Sequence, residues 1–216
     1  VVLGTADQRA ILLYGVNACG KRSLMRSVGC AVILAQAGCF VPAEEMKLSP
    51  YSYLFTRISN NDNLFKRQSS FAVEMSELRS ILQRANRHSL VLGDELCSGT
   101  ESTSALAIVA AGVETLAKLG SSFVFATHLH PLAKLDNILA FTNIHHYHLK
   151  VHFDPVTQKL IYDRTLTPGS GSSMYGIEVC RAMDLPDDFI TRANEIRKKI
   201  TGEKHLPQKS HFNTKV

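Results

Sequence analysis

The chain has 216 residues, 45% of them apolar, enough for one large α/β domain with a real core, and this excludes wholesale disorder. A net charge of +5 permits contact with a polyanion without demanding it. The five cysteines (Cys19, Cys30, Cys39, Cys97, Cys180) are scattered and form no C-x-x-C pair, which argues against a zinc knuckle and for a reducing, intracellular compartment. No secretory signal is visible, and no run of about 18 apolar residues is present to span a membrane. The chain opens on Val1, almost directly on a strand, and reads as a piece of something longer.

Ala10–Tyr14 is a short apolar run that predicts a buried strand. After a loop of small residues, Ser23–Gln36 reads as a helix, with Leu24, Val28, Ala31, Val32 and Ala35 on one stripe and Gly38 as its stop. Tyr51–Ile58 predicts a strand, followed by the polar loop Asn60–Asn63. Ser69 and Ser70 sit where a helix cap belongs, and Phe71, Met75, Leu78, Leu82 and Ala85 recur at helical spacing. Ser89–Gly93 and Ser121–Ala126 are further strands, separated by a helix over Ser102–Leu119 with Gly120 just past its end. This alternation implies an α/β fold with a mainly parallel sheet flanked by crossover helices. Ile144–Phe153 and Lys159–Leu166, joined at Asp154-Pro155, predict a C-terminal β-hairpin. A Gly/Ser stretch, Gly169–Ser173, precedes two helices, Tyr175–Met183 and Asp187–Ile200, and a polar tail follows. The expected organisation is a core with its hairpin over 1–168, a helical element over 169–201 and a tail or linker over 202–216.

Gly15-Val16-Asn17-Ala18-Cys19-Gly20-Lys21 follows a strand and opens a helix, the setting a phosphate loop needs. Its glycines let backbone N–H groups converge on a phosphate, the helix N-terminus adds a positive dipole end, and Lys21 reaches the β- and γ-phosphates. The motif asks for Ser or Thr directly after the lysine, as a Mg²⁺ ligand. Here that position is Arg22, and a serine follows at Ser23. Successive helical residues stand about 100° apart, so Ser23 should point away from such a metal. Arg22 cannot ligate a metal, because guanidinium is not deprotonated in proteins. It either lends positive charge to phosphates or faces solvent.

Leu90–Gly93 leads into Asp94-Glu95, an apolar strand ending in two carboxylates. Asp94 suits a Mg²⁺ shell, and Glu95 suits the group that polarises an attacking water. Thr127-His128 ends the next strand and places an imidazole on the same sheet edge, where it can sense a γ-phosphate. His145, His146, His148 and His152 invite a metal reading, and His146, His148 and His152 share one strand face; but Lys150 interrupts that face and no carboxylate or cysteine joins it, so an exposed hairpin face is the better account.

Phe40-Val-Pro-Ala-Glu44, Phe55-Thr-Arg-Ile58, Ser69–Glu77, Leu90–Glu95, Phe125-Ala-Thr-His128 and Ser173-Met-Tyr-Gly-Ile177 occur in the order and spacing of MutS mismatch-repair ATPases, so residues 10–200 resemble the C-terminal ATPase domain of that family. The spellings around Gly15–Gly20 and Asp94–Gly99 resemble a divergent branch known from organelles, large viruses and some bacteria, often with a nuclease domain after the ATPase. The resemblance implies a P-loop fold of the ABC-ATPase type, which binds and hydrolyses ATP with Mg²⁺ at the interface of a homodimer, or of a dimer with a related MutS-type subunit. It implies contact with mismatched double-stranded DNA through domains outside this sequence. It casts Asn17 as the loop asparagine that places the γ-phosphate and water. Ser69 and its neighbour Ser70 become the contacts to the partner's nucleotide, Gly99-Thr100 an interface loop, and the last two helices a helix-turn-helix dimerisation element. A nucleotide switch with little hydrolysis is the rival reading, on account of Arg22. A transporter-type subunit would carry a Leu-Ser-Gly-Gly-Gln signature before the acidic pair, and this chain has none; a purely structural domain would bind no nucleotide.

Overall fold

The computed structural model describes residues 1–16, 19–58, 70–97, 100–154, 157, 159–171 and 176–201. The strands are β1 (Ala10–Tyr14), β2 (Tyr53–Arg57), β3 (Ser89–Asp94), β4 (Ser122–Thr127), β5 (Ile144–Asp154) and β6 (Lys159–Pro168). The helices are α1 (Lys21–Gln36), α2 (Ser70–Arg84), α3 (Ser102–Lys118), α4 (Asp136–Leu139), α5 (Gly176–Ala182) and α6 (Asp187–Thr201), with a 3₁₀ turn over His130–Lys134. One six-stranded sheet runs in the order β2-β3-β4-β1-β5-β6.

All four pairings among β2, β3, β4, β1 and β5 are parallel. β5 therefore continues the parallel sheet beside β1, with Ala10 opposite Ile144 and Tyr14 opposite His148. The first strand of the expected hairpin is a member of the main sheet. The link from β5 to β6 is too short for a crossover, so β6 returns antiparallel. Every residue of β1, β3 and β4 is buried, as a sheet covered on both faces requires.

α1 differs from its expected stripe. The helix begins at Lys21, and its buried residues are Lys21, Met25, Gly29 and Val32, with Leu24, Val28, Ala31 and Ala35 only half-buried at the flank. Gly29 explains the rotation. A Cβ there would stand 3.0 Å from the Leu92 side chain, so the bare backbone allows the helix to lie close on β3. α3 is capped by Glu101, whose carboxylate accepts from the N–H groups of Thr103 and Ser104, both at 2.7 Å. Of the expected apolar residues, Leu78 in α2 and Ala85 just past its end are buried, and so is Glu74, which the apolar pattern does not single out.

The chain divides into two compact units. One comprises Val1–His152 with Tyr162–Ser173; the other comprises Phe153–Ile161 and the chain from Met174 on. In the second, α5 and α6 pack on each other, Ile190 of α6 is buried, and Arg197 Nη1 lies 3.5 Å from Glu178 Oε1. Met183, Phe189, Ile196 and Ile200 of this unit are exposed.

Candidate functional site

The polar residues singled out in the sequence converge because the strands that carry them share one direction. Tyr14 lies opposite Thr127, and Asp94 opposite Ala126, so β1, β3 and β4 release their loops at one sheet edge. At the end of β1 the chain turns through Gly15, at φ +149°, where a Cβ would meet Cys19 Sγ at 2.7 Å; only glycine fits. Gly20 caps α1 at φ +108°, with no side-chain cap bond. The first-turn N–H groups of α1 thus begin at a bare glycine, as an anion site at a helix N-terminus needs. Asn17 and Ala18 lie outside the described residues, as do Ser69, Gly99 and Ser173; Ser70 is described only as the first residue of α2.

Lys21 is 4% exposed. Its ammonium donates to Gly15 O at 2.6 Å and Val16 O at 3.1 Å, and lies 3.5 Å from Glu95 Oε1. Arg22 follows with its own carboxylate: Nε donates to Asp94 Oδ2 at 2.7 Å, on a side chain half exposed against an Asp94 that is 4% exposed. Neither option read from the sequence for Arg22 includes this contact. The hydrogen bond from Asp94 and its charge hold the guanidinium more firmly protonated than an ordinary arginine. Two consecutive cations therefore face two consecutive carboxylates, Lys21 to Glu95 and Arg22 to Asp94. Ser23 is exposed on the outer side of α1.

A Mg²⁺ at Asp94 does not fit these side chains as they stand. The position directly after Lys21 offers no hydroxyl, and the nearly buried carboxylate is already satisfied by a cation. Among the described residues, no group of three or more His, Cys, Asp or Glu is placed to hold a metal ion.

Glu95 continues the ladder, its N–H donating to Ala126 O at 2.9 Å, and then turns at φ +47°. Cys97 follows at φ +65°. Two non-glycine residues in the left-handed region within three positions are strained and need external support. Glu74 supplies it. Its Oε2 accepts from the Cys97 N–H at 3.0 Å, while its Oε1 pairs with Arg57 Nη2 at 3.1 Å. Arg57 Nε lies 2.6 Å from Glu77 Oε2 as well. Burial, then the charge of Glu74, pushes the Cys97 thiol up to about 11.

His128 is exposed at the end of β4. The imidazole packed into the edge is His130, its ring 5.4 Å from that of the buried Tyr14. Burial, and then the charges of His128, Lys21 and His148, lower its pKa. Of the three histidines expected on one exposed face of β5, His152 is exposed, but His146 and His148 are half-buried. His146 Nδ1 lies 3.1 Å from Tyr14 Oη, and burial, then His145, lowers its pKa. His145 contacts Asp7 O, His148 contacts Gly169 O, and His152 faces Asp163. Burial also raises the pKa of Tyr14 far above the usual phenol range.

Sequence reading missed four residues here. Glu74 and Arg57 were hidden by lying on opposite elements. Arg164 of β6 sits at φ +57°, its Cδ 3.9 Å from where a Cβ on Gly20 would stand, and nothing local in the sequence points to it. For His130, the His-Leu-His run after an apolar strand was the available signal.

These features define an α/β protein with a mainly parallel sheet, its paired charges gathered where β1, β3 and β4 end. The family model for MutS domain V matches residues 11–201, and the chain belongs to the MutS family of DNA mismatch repair proteins, as its C-terminal domain. It is 44% identical over 209 residues to a putative DNA mismatch repair protein mutS homolog of Acanthamoeba polyphaga mimivirus, covering 94% of this chain and 19% of that protein. It is 43% identical over 216 residues to the mitochondrial DNA mismatch repair protein mutS homolog of Sarcophyton glaucum, covering 97% and 22%. To the DNA mismatch repair protein MutS of Caldicellulosiruptor saccharolyticus it is 36% identical over 201 residues, covering 92% and 23%. The chain thus spans about a fifth of the length of the curated relatives it matches.

Proposed function

We propose that this domain binds ATP at the loop Gly15–Lys21 and is the nucleotide engine of a MutS-type mismatch repair protein, working as one half of a dimer. The observation that carries the reading is the buried Lys21 ammonium, held between the carbonyls of a glycine-bounded loop and the carboxylate of Glu95. A phosphate group arriving at the first turn of α1 finds N–H donors, a dipole end and this ammonium. In hydrolysis, Glu95 orients water toward the γ-phosphorus, the bond to the β-γ bridging oxygen breaks, and ADP and phosphate leave. His128, Asn17 and the partner's copies of Ser69 and Ser70 contact the γ-phosphate in this reading. The exposed Phe189, Ile196 and Ile200 support α5 and α6 as a dimerisation element. Coupling to DNA would run through domains outside this chain.

The Arg22–Asp94 pair favours a second reading, a nucleotide switch with little turnover. Calorimetric ATP titration followed by steady-state turnover separates the two. Lys21→Ala should weaken binding by about 1.5–3 kcal/mol, the range for a charge-assisted contact. Glu95→Gln should leave ATP bound, stop turnover and favour the dimer in light scattering. Unchanged affinity in Lys21→Ala refutes the site, and parent-rate turnover in Glu95→Gln refutes the role of Glu95.

A further inference from the structure

Asp94 ends a fully buried strand, and its carboxylate is 4% exposed. A charge so placed needs a partner, and the chain supplies one from the residue directly after Lys21: Arg22 Nε at 2.7 Å. In an ordinary phosphate loop that position carries a hydroxyl, which together with the aspartate holds a divalent cation. Here the same corner holds a permanent monovalent cation tethered to the loop. The bond at Nε uses one of a guanidinium's five N–H donors, and half of the side chain is exposed, so donors remain for a phosphate oxygen. Without any metal, the two cations Lys21 and Arg22 balance the two carboxylates Asp94 and Glu95.

We infer that Arg22 is a built-in counter-ion standing in for the divalent cation, so that this site takes a nucleoside triphosphate as its metal-free anion, with Arg22 bridging Asp94 and the phosphates. The inference rests on the nucleotide reading above and goes beyond it: it names the form of the ligand. A divalent cation gains Asp94 only by displacing Arg22. The arginine fork, by contrast, holds aspartate and phosphate at once, because its donors point in more than one direction.

The test is equilibrium titration of ATP into the full 216-residue chain, once with excess Mg²⁺ and once with EDTA. The affinities in the two buffers should agree within about threefold. Arg22→Ser should lose about tenfold in EDTA and recover with Mg²⁺, because it restores the hydroxyl and frees Asp94. Mn²⁺ added with ATP gives an independent readout by electron paramagnetic resonance: a protein-bound signal should appear with Arg22→Ser and be absent with the parent. Should Arg22→Ser fail to fold, the parent's chelation series and Mn²⁺ spectrum decide. Parent affinity that falls more than about tenfold in EDTA overturns the inference and leaves the nucleotide site standing. Parent and Arg22→Ser behaving alike in both buffers overturns it too. No ATP binding in either buffer overturns the nucleotide reading and the inference together.

Discussion

Glu74→Ala tests how the acidic turn is held. The Glu74 carboxylate is 3% exposed and makes two contacts, to Arg57 Nη2 at 3.1 Å and to the Cys97 N–H at 3.0 Å. Its removal strands a buried backbone donor, for about 1–3 kcal/mol. It also takes one carboxylate from a guanidinium that is 8% exposed; breaking a buried pair outright costs about 3–5 kcal/mol, but Arg57 keeps Glu77 at 2.6 Å. The expected loss is about 3 kcal/mol, or about 6–12 °C in melting temperature for a domain of this size. Glu74→Gln, which keeps an acceptor for Cys97 but not the charge, should fall between. Urea unfolding followed by circular dichroism measures both. Because Cys97 and Glu95 belong to one strained turn, turnover should fall further in Glu74→Ala than in Glu74→Gln, with ATP affinity little changed. A loss below about 1 kcal/mol in Glu74→Ala would refute the view that this carboxylate supports the turn.

Gly93→Ala should destabilise by about 1–3 kcal/mol, because its Cβ would stand 2.8 Å from the Phe125 ring, which is itself packed at 5.3 Å on Phe123. Phe125→Leu in the same chain should return part of that loss in urea midpoint; no recovery would place the clash elsewhere. The lowered pKa values of His130 and His146 set a pH dependence with a definite sign. As pH falls below the unfolded value of about 6.5, the unfolded chain takes up protons first, so stability is level above that pH and declines through the depressed folded values. Urea midpoints from pH 8 to pH 5 should show this decline, and His130→Gln should flatten it; an unchanged slope would remove His130 from the account.

The sequence showed what local pattern carries. Apolar runs of the right length mark β1, β3 and β4, and the placement of Gly15, Asp94 and Glu95 at strand ends and of Lys21 at a helix start follows from them. Patterns that depend on distant partners were not legible. The stripe on α1 was misjudged because its contact face is set by Gly29 against Leu92, a fact about another element. Alternation in Ile144–Phe153 signals a strand but not that β1 is its parallel neighbour. Arg22 stood out only as a departure. Its proximity to Asp94 requires α1 and β3 to be placed together first.

Lys21 ties these observations into one physical constraint. Its ammonium is engaged at Gly15 O, at Val16 O and near Glu95 Oε1. Two of the three donors of this buried ammonium are spent on the loop carbonyls, and the third faces Glu95 at ion-pair distance. In the nucleotide reading, an arriving phosphate therefore competes directly with Glu95 for Lys21. Occupation of the loop frees the carboxylate that must orient water, and an empty loop keeps it neutralised. Glu95 has little freedom to follow the ammonium, because its backbone is pinned to Ala126 O and the turn behind it is held by Glu74 at Cys97. In that reading, site occupancy and release of the acidic group are linked through a single side chain, with no movement of the sheet required.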